Sequence, residues 1–265
     1  MSKTLPAPFF SIIIPTLNEE VCLPRLLGDL AKQTCTDFEV VHVDAHSEDQ
    51  TQKKALAFAH KLPLTVINSK QRNVAAQRNL GGEKARGRWI IFMDADNRLA
   101  DYFLQGIKYR IERGRDEKKL YFDVFTTLMH LTPEDKRDSI NKTTINFLNV
   151  VIKAAENTDK PAVFGALLGM KAEVFRQVKF RTEAKVLEDV MLVEDVKRRG
   201  FKYRVLSDPT YAYSLRRLRS KGLGKTAMTS LRINFLRLLG EDFSEKDYGY
   251  QMLGGEEYDY IEPTK

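Results

Sequence analysis

WIIFMDAD, residues 89–96, joins an apolar run to two acids and determines the fold class predicted for this chain. The apolar run Trp89–Met93 is typical of a buried β-strand, and two aspartates follow it at once. Open parallel sheets bind ligands at the carboxyl ends of their strands. Two carboxylates one residue apart suit Mg²⁺ or Mn²⁺, which take oxygen ligands and share them with substrate phosphates. The stretch predicts a strand that ends in a metal site at Asp94 and Asp96, although Asp-x-Asp taken alone also fits a turn whose aspartate caps a helix.

N-terminal to this strand, the sequence alternates between strand and helix patterns. Apolar, β-branched runs predict strands at 10–15, 39–44 and 64–68, with helices at 19–33, 47–60 and 73–85. Ser47 and Gln50 fit a capping box at the start of the second of these helices. Strands that alternate with helices form parallel sheets. We therefore expect Thr16 and Asp44, which end the first two strands, to meet Asp94 at one edge of the sheet.

The second half of the chain follows the pattern less regularly. Helices are predicted at 101–113, 139–155, 171–177 and 188–199, and strands at 121–128, 164–170 and 203–206. The fold class is therefore α/β, with an open, mainly parallel sheet flanked by helices. Residues 1–212 are expected to form one domain, and residues 213–265 a basic helical extension with an acidic tail that belongs to the same fold.

Charge is distributed unevenly along a chain whose net charge is +7. Between residues 216 and 237 there are seven lysines and arginines and no acid. The apolar residues among them predict an amphipathic helix, which either packs on the sheet or lies on an anionic membrane. The segment lacks the regularly interleaved aromatic residues of a stacking platform, so nucleic acid is not an expected partner.

The compartment is predicted from what the sequence lacks. Residues 1–9 do not show the charged-then-apolar order of a secretory signal, and no apolar run approaches the roughly 20 residues of a membrane span. Cys22 and Cys35 have neither metal-ligand spacing nor a disulfide framework. These features predict a cytoplasmic protein, in peripheral contact with the inner face of the membrane if the basic segment binds lipid.

Five blocks of sequence together resemble the family 2 inverting glycosyltransferases of GT-A (Rossmann-like) fold. They occur in the family's order over roughly residues 9–204 and read FSIIIPTLNEE, VVHVDAHSEDQT, NVAAQRNLGGEKARG, WIIFMDAD and LEDVMLVEDVKRRGFK. Their joint occurrence is far more specific than any single block. The resemblance implies metal-dependent transfer of a sugar, with inversion, from a UDP- or GDP-sugar to a hydroxyl acceptor. A glycan or lipid-linked acceptor in cell envelope glycan biosynthesis is the expected context.

The resemblance also implies roles for individual residues. The metal motif, often written DXD, matches Asp94 and Asp96, with Asp96 as the metal ligand. The family's acidic pair at the start of a helix matches Glu188 and Asp189, and Asp189 would be the general base that takes the proton of the acceptor. The residues implied in nucleotide-sugar binding are Pro15, Thr16, Asn18, Glu19, Asp44, Arg78, Asp94, Ala95 and Arg216. Acids in the first turn of a helix also stabilise its dipole, which is the structural alternative for the pair at 188–189.

The second block departs from the family pattern at two places. His46 and Gln50 stand where glycines are common, so the loop geometry there is not predicted. His42, Asp44 and His46 alternate, and on a strand they would face one way and could mimic a metal site.

Three other functions fit parts of the sequence. A sugar nucleotidyltransferase would have a glycine-rich phosphate loop after the first strand, where this chain reads PTLNEE. A catalytically silent nucleotide-sugar-binding protein would keep the fold, but the acids at 94, 96 and 189 argue against it. Nucleic-acid binding, suggested by the basic segment alone, would show as salt-dependent affinity for arbitrary DNA.

Overall fold

The computed structural model describes residues 6–132, 135, 139–163, 165–184 and 186–214. The strands in this part of the chain are β1 Phe10–Thr16, β2 Phe38–Asp44, β3 Leu64–Asn68, β4 Trp89–Met93, β5 Val124–Leu131, β6 Leu167–Lys171 and β7 Tyr203–Tyr213. The helices are α1 Cys22–Leu30, α2 Thr51–Leu56, α3 Val74–Lys84, α4 Phe103–Asp116, α5 Ser139–Ala154, α6 Ala172–Phe175 and α7 Glu188–Arg198, with a 3₁₀ turn at Lys118–Leu120. The predicted alternation of strand and helix is confirmed.

The strands form one sheet in the order β3-β2-β1-β4-β6-β5-β7. Strands β1 to β4 pair in parallel, and so do β5 and β7. Strand β6 runs antiparallel to both of its neighbours. The prediction of an open, mainly parallel sheet flanked by helices is therefore confirmed. Because β6 is reversed, its first residues lie at the same edge as the carboxyl ends of β1, β2 and β4.

The centre of the sheet is buried and closely packed against α3. Strands β1, β2 and β4 are buried along their whole length. A side chain at Gly81 of α3 would overlap Ile13 Cγ2 of β1, so this glycine lets the helix approach the sheet. The close approach matters for the site because Gln77 and Arg78 stand on the same helix, one turn nearer its N-terminus.

Several local predictions are wrong. Strand β7, predicted at 203–206, extends to Tyr213. Ser47 does not cap α2, because its hydroxyl donates to Asp44 Oδ1 at 2.6 Å. The helix starts instead after Gln50, with no side-chain cap, and ends at Leu56 rather than at His60. Strand β5 starts at Val124 and ends at Leu131, three residues later than the pattern at 121–128 indicates.

Several predictions concern residues outside the described ranges. The basic segment 216–237, with Arg216, and the acidic tail lie there, as does Phe164, the first residue of a predicted strand. Within the described part of the chain, no helix combines the length and the apolar character that a bilayer crossing requires.

Candidate active site

Three polar strand ends meet at one edge of the sheet. Thr16 and Asp44 are register partners at the last position of β1 and β2. Asp94 follows β4, which pairs with β1 in parallel. Its backbone N–H donates to Ala166 O at 3.0 Å, just before the start of β6. The topology thus brings together the residues that the alternation predicted at this edge.

Asp44 is the centre of a buried hydrogen-bond network. Its side chain is 0% exposed. It accepts bonds from Thr16 Oγ1 at 3.0 Å, Ser47 Oγ at 2.6 Å, Ser47 N at 2.8 Å and Gln52 Nε2 at 2.7 Å. Burial works to raise the pKa of Asp44, but the bonds from Ser47, Gln52 and Thr16 outweigh it, and the pKa lies below its usual value. The carboxylate is therefore an anion whose oxygens are already engaged within the protein.

His42 lies beneath this network. Its Nε2 is 2.7 Å from Thr16 Oγ1, and the side chain is fully buried. Burial lowers its pKa to about 4, against the opposing effect of Asp44, so the imidazole is neutral at pH 7. His46 lies beyond the end of β2 and is exposed, so it does not share a strand face with His42 and Asp44 as the alternation suggested.

Two loops clamp each other above the ends of β1 and β2. The backbone N–H of Asn18 donates to Ser47 Oγ at 2.9 Å, and Asn18 Oδ1 accepts from the Glu48 N–H at 2.8 Å. Asn18 and His46 have φ angles of 54° and 58°, in the left-handed region. This conformation explains why glycine is common at the position of His46. The clamp fixes the loop after β1, which carries the predicted nucleotide-binding residues Asn18 and Glu19.

Two further residues predicted to bind the nucleotide sugar, Pro15 and Glu19, lie at the end of β1 and on the loop after it. Pro15 is buried within the strand, and Glu19 is half-buried. The Glu19 N–H donates to Thr51 Oγ1 at 2.8 Å. Gln77, which the sequence did not single out, donates to Thr16 O at 2.9 Å and to Val43 O at 2.8 Å. Gln77 thus ties α3 to the ends of both strands.

Arg78 occupies the middle of the site. Its Nη1 donates to Glu188 Oε1 at 2.8 Å, and its Nη2 donates to Asp94 Oδ1 at 3.0 Å and to Gly165 O at 2.9 Å. The guanidinium lies 5.3 Å from the ring centroid of Phe180. Burial works to lower the pKa of Arg78, but Asp94, Glu188 and Asp189 outweigh it and raise the pKa, so the side chain stays charged.

Glu188 and Asp189 begin α7. The residue before them, Leu187, has φ 60° in the left-handed region, which turns the chain sharply into the helix. Both acids are buried, Glu188 at 3% and Asp189 at 8% exposure. Burial raises the pKa of Asp189 to about 7, the neighbouring Glu188 adds to the increase, and Arg78 opposes it. A carboxylate with such a pKa is suited to take a proton near neutral pH.

Gly165 lies against the same acid, although no sequence pattern singles it out. A Cβ at this position would lie 2.9 Å from Asp189 Oδ2, while its carbonyl accepts from Arg78. An alanine there would press on the side chain of Asp189. No local pattern could show this, because the contact joins the segment before β6 to the start of α7.

The turn Asp94–Ala95–Asp96 presents two half-buried acids around a buried alanine. The turn is held by the Asn97 N–H, which donates to Asp94 O at 3.3 Å, and by Asn97 Nδ2, which donates to Ala166 O at 2.5 Å. Two carboxylates on one turn suit a hard cation that completes its shell with phosphate oxygens and water. The residues present therefore fit Mg²⁺ or Mn²⁺.

The described chain ends beside this turn. Arg98 and Ala212 exchange two backbone hydrogen bonds, of 3.0 Å and 2.9 Å, so the end of β7 runs next to the loop that carries the acids. The hydroxyl groups of Tyr203 and Tyr211 in β7 are buried and have no hydrogen-bond partner among the described residues. Burial raises the pKa of both tyrosines, so both stay protonated. Neither tyrosine was predicted as part of the site.

Known proteins match this chain in both sequence and fold. The model of the family described as "Glycosyl transferase family 2" matches residues 11–179. A PGL/p-HBAD biosynthesis glycosyltransferase of Mycobacterium bovis is 44% identical over 95 residues, which are 35% of this chain and 37% of that protein. Poly(ribitol-phosphate) beta-N-acetylglucosaminyltransferase TarS of Staphylococcus aureus is 38% identical over 92 residues, 33% of this chain and 16% of that protein. The matched part thus spans little more than a third of these relatives at most.

Solved structures show the same fold. S. aureus TarS 1-349 in complex with UDP superposes with a TM-score of 0.60 at 23% identity, over 78% of this chain and 60% of that chain. The mannosyltransferase PcManGT from Pyrobaculum calidifontis, in complex with GDP-Man and Mn²⁺, gives a TM-score of 0.63 at 21% identity, over 87% of this chain and 67% of that chain. At these identities the likeness concerns the fold, which is GT-A.

Proposed function

The chain belongs to glycosyl transferase family 2, and from this premise we propose that it moves a sugar from a UDP- or GDP-sugar to a hydroxyl acceptor with inversion, using Mg²⁺ or Mn²⁺. The observation that carries the proposal is the junction at Arg78, which ties Asp94 on one side to the pair Glu188–Asp189 on the other. Inverting transfer needs a group that stabilises the leaving phosphate and a base for the acceptor, on opposite sides of one sugar. The junction joins a candidate for each.

Asp94 and Asp96 are the proposed metal ligands on the donor side. A bound divalent cation stabilises the negative charge that grows on the leaving nucleoside diphosphate. The two carboxylates are half-buried, so part of each side chain is accessible to a cation from solvent. Ala95 between them is buried and holds the turn against the sheet.

Asp189 is the proposed general base on the acceptor side. It accepts the proton of the acceptor hydroxyl while that oxygen bonds to the anomeric carbon and the bond from this carbon to the phosphate oxygen breaks. Attack from the side opposite the phosphate inverts the configuration. A positioned base of this kind contributes about 10²- to 10⁴-fold in rate. Glu188 precedes the base in α7 and accepts a hydrogen bond from Arg78, so it anchors the start of this helix to α3.

The donor's nucleoside is proposed to bind over Pro15, Thr16, Asn18 and Glu19. Asp44 supports this pocket from below, because its four hydrogen bonds join the end of β1 to the Ser47 loop and to α2. Direct contact of Asp44 with the nucleobase stays a prediction, since it requires Ser47 or Gln52 to release the carboxylate. Contact of Arg216 with the diphosphate also stays a prediction; the described chain ends two residues before it, at the metal turn.

The pH dependence of turnover follows from the pKa of Asp189. Its folded-state pKa is raised to about 7, and the base must be ionised to accept a proton. We therefore expect kcat/KM to fall as pH decreases below about 7, with a slope of one proton. The measurement is kcat/KM between pH 5 and 9 at saturating Mn²⁺. A profile that stays flat down to pH 5 would contradict Asp189 as the base.

A lipid-linked acceptor and peripheral contact with an anionic membrane are also proposed. The basic segment 216–237 supports this proposal, and so does the exposed apolar stripe of α5, where Phe147, Val150 and Val151 are 62%, 65% and 38% exposed. We expect the full chain to sediment with vesicles that contain phosphatidylserine at low salt and to be released as salt rises. Neutral vesicles are the control. Absence of binding to anionic vesicles at low salt would exclude this contact.

Activity itself is tested with a panel of UDP- and GDP-sugars, Mn²⁺ and a mixture of glycan and lipid-linked acceptors. Release of the nucleoside diphosphate, with a mass increase of the acceptor by one sugar, is the expected result. Binding of a donor without turnover of any panel member would favour the silent binding protein. Release of pyrophosphate from a sugar phosphate and a nucleoside triphosphate would favour the nucleotidyltransferase.

A further inference from the structure

Arg78 is enclosed by groups of the protein itself. Its side chain is 3% exposed. Both terminal nitrogens are engaged, with Glu188, Asp94 and Gly165 O at 2.8–3.0 Å. Phe180 lies over the guanidinium. Three of the five N–H groups of the guanidinium are thus bonded, and Nε is buried without a partner among the described residues. A phosphate oxygen could reach the group only if the side chains that enclose it moved.

The charges around Arg78 lead to the same conclusion. One guanidinium faces three acids, Asp94, Glu188 and Asp189, so with all three ionised the local net charge is negative. Such a cluster attracts a divalent cation and repels a diphosphate. Arg78 therefore compensates the acids of the protein instead of offering a free positive charge to the donor.

The elements joined by Arg78 are distant in sequence. Asp94 follows β4, Gly165 precedes β6, and Glu188 starts α7, while Arg78 itself stands on α3. A bond to each of the three fixes the metal turn and the base at a set separation. Gly165 completes the arrangement, because its missing side chain leaves room for Asp189 next to the bond from Arg78.

We propose that Arg78 is a positioning residue that holds the metal turn at Asp94 and the base pair Glu188–Asp189 in mutual register, and that it does not bind the donor diphosphate. This inference rests on the proposed function and assigns a role within it. An arginine is required because its planar fork reaches separate acceptors with two nitrogens at once, whereas lysine has a single nitrogen.

The test compares Arg78→Lys with the wild type at saturating Mn²⁺. We expect kcat to fall by about tenfold to a hundredfold, because the metal turn and the base lose their alignment. The Kd of the nucleoside diphosphate, measured by calorimetry, should stay within about threefold of the wild type, because no phosphate contact is lost. A Kd weakened by about tenfold or more at saturating Mn²⁺, with kcat little changed, would show a phosphate ligand and overturn the proposal.

Two further variants exclude a merely structural effect. Glu188→Gln breaks the same junction from the other side, so the double variant with Arg78→Lys should lose little more kcat than either single variant. Losses that multiply would contradict a shared role. Arg181→Lys is the matched control: Arg181 forms a two-point pair with Asp195 of α7, at 2.9 Å and 3.0 Å, and the acids that act on it do not include Asp94, Glu188 or Asp189. Its kcat and its Kd should match the wild type.

Arg78→Gln adds a pH profile of kcat/KM, whose position a loss of folded protein alone would not change. The charged groups that act on Asp189 are Glu188 and Arg78, and Tyr203 packs near it from β7. Loss of the positive charge should move the acid limb of kcat/KM to higher pH, and an unmoved limb would contradict the junction. If the wild type turns over no nucleotide sugar, the proposed function fails; if the wild type is active and the variants behave otherwise, only the role of Arg78 fails.

Discussion

Asp189→Asn is expected to reduce turnover by about 10²- to 10⁴-fold while donor binding stays unchanged. The amide has nearly the shape of the carboxylate but cannot take the proton of the acceptor hydroxyl. The acid is buried and lies against the position of Gly165, so a substitution that keeps its volume should leave the site packed. The measurement is kcat with saturating donor and acceptor, together with the Kd of the nucleoside diphosphate.

Stability separates a chemical effect of Asp189→Asn from damage to the fold. The pKa of Asp189 is raised in the folded state, so above pH 7 the folded protein holds a charge that burial disfavours. The amide removes that unfavourable ionisation, and the melting temperature at pH 8 should equal or exceed that of the wild type. Asp195→Asn is the control, because Asp195 belongs to the similar acidic pair six residues later on α7 and pairs with Arg181. Unchanged turnover in Asp189→Asn, or an equal loss in Asp195→Asn, would remove Asp189 as the base.

Asp96→Ala should abolish the metal dependence of donor binding. Asp96 is half-buried on the turn after β4, and the proposed site offers only one other carboxylate, Asp94, to the cation. Metal sites with few protein ligands lose most of their affinity with one of them, so kcat/KM should fall by about a hundredfold or more at limiting Mn²⁺. The measurement is turnover against Mn²⁺ concentration.

A matched control for Asp96→Ala stands on the same loop. Asp101 is an exposed acid five residues further on, and Asp101→Ala removes the same charge from the chain. Its Mn²⁺ dependence should equal that of the wild type. If Asp96→Ala and Asp101→Ala respond alike, the turn does not hold the metal.

The architecture was predictable because apolar runs and helical periodicity report burial directly. The run Trp89–Met93 became β4 with the predicted bounds, and β3 also agrees residue by residue. Element ends were less predictable, because long-range contacts decide them. Ser47 has the sequence of a helix cap, yet its hydroxyl bonds to Asp44 at the end of β2, and α2 starts later.

The candidate site was predictable where residues follow strand ends, and less so elsewhere. Thr16, Asp44 and Asp94 converge because parallel strands end at the same edge. The direction of Arg78 could not be read from α3, since a residue near the start of a helix can face either substrate or protein. Its inward position depends on Glu188, 110 residues away along the chain, which no local pattern links to it.

This edge of the sheet is proposed to bind a nucleoside diphosphate through a divalent cation. Calorimetric titration of UDP and of GDP into the full chain, with and without Mn²⁺, tests it most directly. We expect one of the two nucleotides to bind at a single site when Mn²⁺ is present, and to bind far more weakly without it. Failure of both nucleotides to bind in the presence of Mn²⁺ would contradict the claim.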